Sequence, residues 1–520
     1  MTTETSEFPL VWDDPAHAER TWRFDLAHSP DVMTPLGFDL YYSPFITGMG
    51  FVQVCLQNYY AFLYVATARP GTADAQAAIA GARRWQEEIL PEVLSYDEHY
   101  RFTDFEAMPT AELISEIDRL PDARVRCGQL HMMAMSSYFY GMTHLIETYC
   151  ELTEGDELSA VRLVQGHGNK SVEAGHALWR LSKLVTSNPA VRDRLLSIDA
   201  TSAKEGLALL QGDSEAQPFL EALLAFLDEF GWRSNLFELA DPTWVEDPTI
   251  PLNQLRAYMQ MPEYDPFAEQ KKLAEQREEA LRKALAPLAP DAKERLLEAV
   301  EAARQVVPIL EDHNYYIDQR VAMLPRRLVL AAGHRLVSEG RLAVAEDVFY
   351  LRGPELRGAL LGNGADARTL VEHHKREMER WSKVKPPAHI GAEPEAGEPV
   401  NRFVGAVGLR SERPNELRGN AASAGVVRGP ARVLLSLDEA DKLKPGDVLV
   451  ARTTMPPWTP LFAVASAVIT ETGGILIHAA VVAREYGIPA VLGVQDATRL
   501  IQDGQLLEVD GSKGIVRIIN

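Results

Sequence analysis

At 520 residues, 46% of them hydrophobic, the chain is too long for one ordinary core and points to two or three domains of normal globular composition. Its 74 acidic side chains against 52 basic ones leave a formal net charge of −22, which argues against unspecific binding to nucleic acid or to an anionic membrane surface. Three cysteines without CxxC spacing (Cys55, Cys127 and Cys150) argue against a disulfide scaffold or a structural zinc site. No metal is expected, and a reducing cytoplasm fits.

The first residues, MTTETSEFPL, have neither the basic nor the apolar region of a signal peptide. HSPDVMTPL at His28–Leu36 belongs to an irregular, well-packed lead-in. The most apolar long stretch, Phe45 to Ala68, is interrupted by Gln53, Gln57 and Asn58 and reads as a buried helix rather than a membrane span. From Gly48 to Leu239 the pattern is mostly helical, with apolar residues three and four apart in Ala111–Arg119, Gln129–Leu152 and Glu215–Phe230. Within it, the Met- and aromatic-rich run His131–Met142 reads as core, with a pocket for a flat apolar molecule as the alternative.

Pro242 and Pro248 then bracket a loop. Phe267–Arg304, charged and alanine-rich, suits two long exposed helices broken near Pro287 and Pro290. A patterned helix over Val306–Gly340, a short extended piece at Val348–Leu351 and a helix over Asp366–Lys383 follow. Pro386–Pro399 carries four prolines and no apolar periodicity, the mark of a linker. Beyond Leu417 the chain changes to short β-branched runs, Ala431–Leu435, Val448–Ala451, Ala467–Thr470, Leu506–Val509 and Ile515–Ile519, punctuated by glycine and proline. The expected architecture is a large, mainly α-helical domain (1–385), a Pro-rich linker (386–415) and a small C-terminal β/α domain (416–520).

The chemistry concentrates in TETGGILIHAAVVAREYGIPAVLGV, Thr470–Val494. A strand-like run ends in Gly473 and Gly474, and His478 then opens an alanine- and valine-rich helix that stops at Gly487. A helix start offers unpaired N–H groups and a positive dipole end, which suits a group that becomes an anion. A neutral imidazole there is a nucleophile, so His478 is a candidate for transient phosphorylation.

Three collinear stretches, Glu416–Leu434, Asp447–Phe462 and Thr470–Val494, together resemble the swivelling phosphohistidine domain of the phosphoenolpyruvate (PEP)-utilising enzymes, among them phosphoenolpyruvate synthase, pyruvate phosphate dikinase and rifampicin phosphotransferase. The resemblance implies that His478 takes a phosphoryl group at a nucleotide site and delivers it to an acceptor elsewhere. It also implies that Thr472, Gly473 and Gly474 form the phosphate-side turn and that Arg484 and Glu485 support the helix. The chain departs from the family at Ile477, where Thr, Ser or Cys usually precedes the histidine. Gly166–Leu181, Phe226–Pro248 and Arg326–Leu351 resemble the acceptor-binding half of rifampicin phosphotransferase-like proteins.

No GxxxxGK(S/T) loop is present, and no GxG-rich stretch precedes the helical body. The layout is similar to phenylphosphate synthase, which implies a separate ATP-grasp partner subunit holding ATP and Mg2+, and a small hydroxyl-bearing substrate, a phenol or aromatic alcohol. On the acceptor side, His313, Tyr316 and Arg320 fall on one helical face that Arg327 continues. They are candidates for a base and for a phosphoryl clamp, against the plainer reading of a part-buried helix with ordinary ion pairs. Arg233 and Glu238 are candidates to orient carrier or acceptor, with an internal salt bridge as the alternative. Two other functions stay open: phosphorylation that activates a biosynthetic intermediate, and a non-catalytic regulatory protein with a degenerate swivelling domain.

Overall fold

The computed structural model describes residues 8–12, 14–26, 28–65, 74–198, 207–208, 210–235, 237–392, 409–411 and 413–519. Its N-terminal body is mainly helical. Two long helices form the axis, a 43-residue helix over Thr110–Leu152 and a second over Pro290–His313. They approach closely because small residues line the seam. Ala299, Ala302 and Ala303 are all fully buried, and a Cβ added to Gly141 would stand 2.6 Å from Val306. The two periodic segments expected at Ala111–Arg119 and Gln129–Leu152 are thus one helix, continuous through Pro121. Of the two helices expected to be exposed, Pro266–Leu285 is, but Pro290–His313 is central, since its alanines pack inward.

Phe45–Ala68 is a correction. Only Ser43–Gly48 is helical, and a β-hairpin follows. Asn58 and Tyr59 turn it with φ of 52° and 67°, as a two-residue hairpin of the primed type requires. Alternation from Val52 to Gln57, not overall apolarity, was the signal; residues 66–68 lie outside the described residues. The body's sheet contains β1 (Thr21–Phe24), β2 (Val52–Gln57), β3 (Tyr60–Val65) and β4 (His389–Gly391), in the order β2-β3-β1-β4 and antiparallel throughout. β4 falls inside the Pro-rich stretch expected to be a linker, pinning its start to the N-terminal sheet; residues 393–408 lie outside the described residues.

Two further expectations change. Val306–Gly340 is not one helix: Pro290–His313 passes into a π-helical segment, Asn314–Arg320, and a new helix, Arg326–Ser338, starts after Pro325. Val348–Leu351 is not extended but lies in and after a 3-10 turn, Ala345–Tyr350, in which the adjacent Val348 and Phe349 are both buried.

The C-terminal unit is an eight-stranded sheet. Its strands are β5 (Glu416–Arg418), β6 (Asn420–Ser423), β7 (Val426–Leu434), β8 (Val448–Ala451), β9 (Ala467–Thr470), β10 (Ala490–Leu492), β11 (Leu506–Asp510) and β12 (Ile515–Ile519), in the order β5-β12-β11-β7-β8-β9-β10-β6. β7 to β10 are parallel and fully buried β8 and β9 form the centre, while the outer strands pair antiparallel. Met135, Tyr138 and Met142 of the body share one apolar cluster with Ile475, Leu476 and Val481. The Met-rich run is therefore core, and part of it receives the β/α unit. Among the described residues no helix is long and apolar enough to cross a membrane.

Candidate active site

His478 is the first residue of the helix His478–Glu485, which begins just past the end of β9. The carboxyl ends of parallel strands are where such sheets place ligands. The turn before it depends on Gly473, which has φ of +113° and whose added Cβ would meet Ile477 Cδ1 at 2.0 Å. Ile477 is the helix's N-cap residue and supplies no side-chain cap. Its side chain instead packs over Gly473, giving the departure from the family pattern a structural role. Thr470 Oγ1 donates to the Thr472 carbonyl at 2.7 Å, and Asn420 Nδ2 donates to the Gly473 carbonyl at 3.0 Å, so side chains also hold the turn. Arg484 reaches back from the helix end, its Nη1 donating to the carbonyls of Ala422 (2.8 Å) and Ile475 (2.9 Å).

The reactive ring is docked on the helical body. His478 Nδ1 lies 2.9 Å from both carboxylate oxygens of Glu311, a residue with no exposed surface. Ser171 Oγ donates to Glu311 Oε2 at 2.6 Å, and Phe462 lies edge-on to the imidazole at 6.4 Å. A carboxylate oxygen accepts, so Nδ1 is the donor in this contact, and in the neutral tautomer that fits it the lone pair is on Nε2. Nε2 is buried and has no hydrogen-bond partner among the described residues.

A second contact joins the two units. Glu485 accepts from the backbone N–H of Gly166 (2.8 Å) and of Gly168 (3.3 Å), and burial raises its pKa. Gly166 and Gly168 both have φ of +72°, which aims the loop's amides at this carboxylate. The same loop leads through Asn169, which caps the helix Lys170–Thr186, to Ser171. Lys170 N donates to Asp312 Oδ1 at 2.9 Å. Burial pushes the Asp312 carboxyl up to about 6.

The acceptor-side candidates do not converge on His478. His313 Nδ1 donates to the Ile309 carbonyl at 2.8 Å, and burial lowers the ring to about 4. Tyr316 is half-buried, its ring 4.7 Å from Tyr315 and 5.9 Å from Lys170 Nζ. Arg320 is paired with Asp97 and donates to the Glu229 carbonyl at 2.7 Å. Arg327 donates to the carbonyls of Tyr100 and Arg101. These side chains brace the body; the π-helical segment rotates the face that a regular helix would present.

Arg233 and Glu238 make no ion pair with each other among the described residues. Arg233 stacks on Trp244 at 5.2 Å with Nη2 unpartnered, and burial lowers it to about 10. Glu238 accepts from Thr34 N, Thr34 Oγ1 and Ala240 N. Sequence reasoning missed Glu311 and Ser171. The signals were present: Glu311 nearly adjoins His313, and Ser171 sits within the conspicuous GHGNKS run.

His478 thus stands at the carboxyl edge of a parallel sheet, seated on a buried carboxylate of the helical body. Residues 443–514 match the mobile domain of PEP-utilising enzymes, and residues 131–311 match the rifampicin phosphotransferase fourth domain. The chain therefore carries both domains and is related to the rifampicin phosphotransferases. It is 33% identical to chondramide synthase cmdD of Chondromyces crocatus over 99% of this chain and 14% of that one. Identity is again 33% to the uncharacterized phosphotransferase YvkC of Bacillus subtilis strain 168, over 73% of this chain and 46% of that one. To the rifampicin phosphotransferase of Streptomyces sviceus it is 32%, over 68% of this chain and 40% of that one. The chain thus spans less than half the length of each of these relatives.

Proposed function

We propose that the chain is a phosphotransferase that carries a phosphoryl group on Nε2 of His478 to a hydroxyl acceptor bound against the helical body. The observation that carries this reading is the Glu311 contact, which fixes the proton on Nδ1 and leaves a bare, buried Nε2. In the first half-reaction Nε2 attacks the β-phosphoryl of ATP held with Mg2+ by an ATP-grasp partner subunit. Water accepts the γ-phosphoryl, so AMP and inorganic phosphate leave. In the second, the acceptor oxygen forms the new P–O bond and the P–N bond breaks, its electron pair returning to Nε2. Glu311 takes the hydroxyl proton in this assignment. Phosphoryl transfer asks mainly for positioning and charge, which a rigid body and a movable carrier supply between them.

The acceptor is a phenol or aromatic alcohol on this reading. Phe237 and Met323 of the body and Met455 and Pro457 of the mobile domain line a cleft between the two units that Ser234, Asp318 and Gln319 share, and these apolar side chains support a flat apolar acceptor. In the docked state the cleft has room for little more than a water, so the acceptor enters only when the two units part. A second reading, activation of a biosynthetic intermediate by phosphorylation, is favoured by the match to chondramide synthase across nearly the whole chain.

The test mixes the chain with an ATP-grasp partner and β-labelled ATP. Acid-labile label on the wild-type chain and none on His478→Ala is the expected result; equal labelling of the two would sink the carrier assignment. Chasing the labelled protein with a panel of phenols, benzylic alcohols and peptide-bound hydroxyls then separates the two acceptor classes.

A further inference from the structure

Three buried or half-buried side chains outside the carrier site meet where the Thr110–Leu152 helix crosses the π-helical segment. We propose that His131, His313 and Asp318 form a binding site for one divalent transition-metal ion of the zinc class. Their ligand atoms all lie within 4.8 Å of one another. His131 Nδ1 stands 3.0 Å from both oxygens of Asp318, and His313 Nε2 stands 3.5 Å from Asp318 Oδ2. Two imidazoles and a carboxylate around a tetrahedral ion, with bonds of about 2.0–2.1 Å, place ligand atoms about 3.3 Å apart, a value between the 3.0 and 3.5 Å of the two histidine–carboxylate contacts.

The arrangement of the cluster suits a cation between its members. His313 Nδ1 donates to the Ile309 carbonyl, so its Nε2 carries a lone pair when the ring is neutral. That lone pair faces a carboxylate oxygen, an acceptor opposite an acceptor. A proton shared by His131 and Asp318 satisfies one side of the carboxylate and leaves this contact repulsive. A cation relieves it, with His131 ligating through Nδ1 and both rings neutral. The carbonyl bond to His313 is also the outer contact that orients metal-ligating imidazoles.

A second observation points the same way. Asp318 and Gln319 line the cavity between body and mobile domain, together with Ser234. Gln319 is 5% exposed, and both its amide atoms lack partners among the described residues. Three protein ligands leave a coordination position open, as catalytic sites do, and one of the three, Asp318, borders this cavity. Asp318 is supplied by a π-helical turn, a rare element that recurs at functional sites.

The experiment titrates the chelator-treated full chain with Co2+ and follows its visible ligand-field absorption, with Zn2+ as competitor. One equivalent bound per chain, displaced by Zn2+, and a rise in thermal midpoint with Zn2+ are expected. His131→Gln, at the most exposed of the three positions, weakens Co2+ binding by roughly a hundredfold or more. His478→Ala binds Co2+ as the wild type does, so the outcome is separate from that of the carrier assignment. A wild-type chain that is folded by circular dichroism and gains no ligand-field band overturns the proposal, as does a His131→Gln chain with wild-type affinity.

Discussion

Because a carboxylate can only accept, the hydrogen bond from His478 to Glu311 in the docked arrangement decides which ring nitrogen faces an acceptor and which keeps the proton. Glu311→Gln removes that restriction, since an amide can donate as well as accept and can hold the wrong tautomer. The transfer of label from His478 to an acceptor should slow by about 10²–10⁴-fold in a single-turnover chase. A chase at the wild-type rate would show that Glu311 is only a packing residue. His167, between the two loop glycines, gives a pH signature. Burial, then the charges of Arg277 and Arg304, lower its pKa to about 4. With the folded value below the unfolded one, its contribution to stability is full above about pH 6.5 and is lost as pH falls toward about 4. His167→Gln should flatten that limb by about 1–2 kcal/mol after allowance for solvent screening, read from urea unfolding at about pH 7 and about pH 4.5. An unchanged pH dependence would reject the assignment.

At the level of elements, the strand–turn–helix around His478 rests on two side chains fitted to each other. Gly473 has no Cβ because Ile477 occupies that space, and its φ of +113° bars most other residues. Gly473→Ala should destabilise the turn by about 1–3 kcal/mol and sharply reduce phosphohistidine formation, and trimming Ile477 to Ala should not restore it, because the backbone strain persists. Full rescue by the double variant would instead assign the whole effect to the steric clash. This element was legible in sequence, because two glycines, a histidine and an alanine-rich run specify it locally. The hairpin at Val52–Val65 was less so: apolar composition alone does not separate a buried strand from a buried helix, and the turn at Asn58–Tyr59 lacks the usual glycine. The π-helical segment was not legible at all, since regular helical spacing placed His313, Tyr316 and Arg320 on one face and one wide turn redistributes them.

For the molecule as a whole, the docked arrangement joins shared apolar clusters of the two units with a polar contact at Glu485. Glu485 satisfies two amides of the Gly166–Gly168 loop, and the apolar cluster of Tyr138, Leu476 and Val481 closes around it. Glu485→Ala leaves those amides without partners in the docked state, costing about 1–3 kcal/mol. The expected outcome is faster hydrogen exchange across residues 166–171 and slower transfer to the acceptor, while labelling of His478 by the donor is retained. Loss of labelling together with transfer would mean that Glu485 supports the carrier fold rather than its docking.

Local patterning by itself specified the histidine, its glycine turn, the β/α character of the C-terminal unit and the helical character of most of the body, because each is written in residues close together in sequence. Only the tertiary structure supplied Glu311 as the partner of His478 and Ser171 as the donor to Glu311, Gly166 and Gly168 as the seat of Glu485, and the meeting of His131 with His313 and Asp318. Those contacts join residues more than a hundred positions apart. No periodicity or spacing encodes which distant carboxylate a buried imidazole will face; the packing of two long helices and a docked sheet decides it.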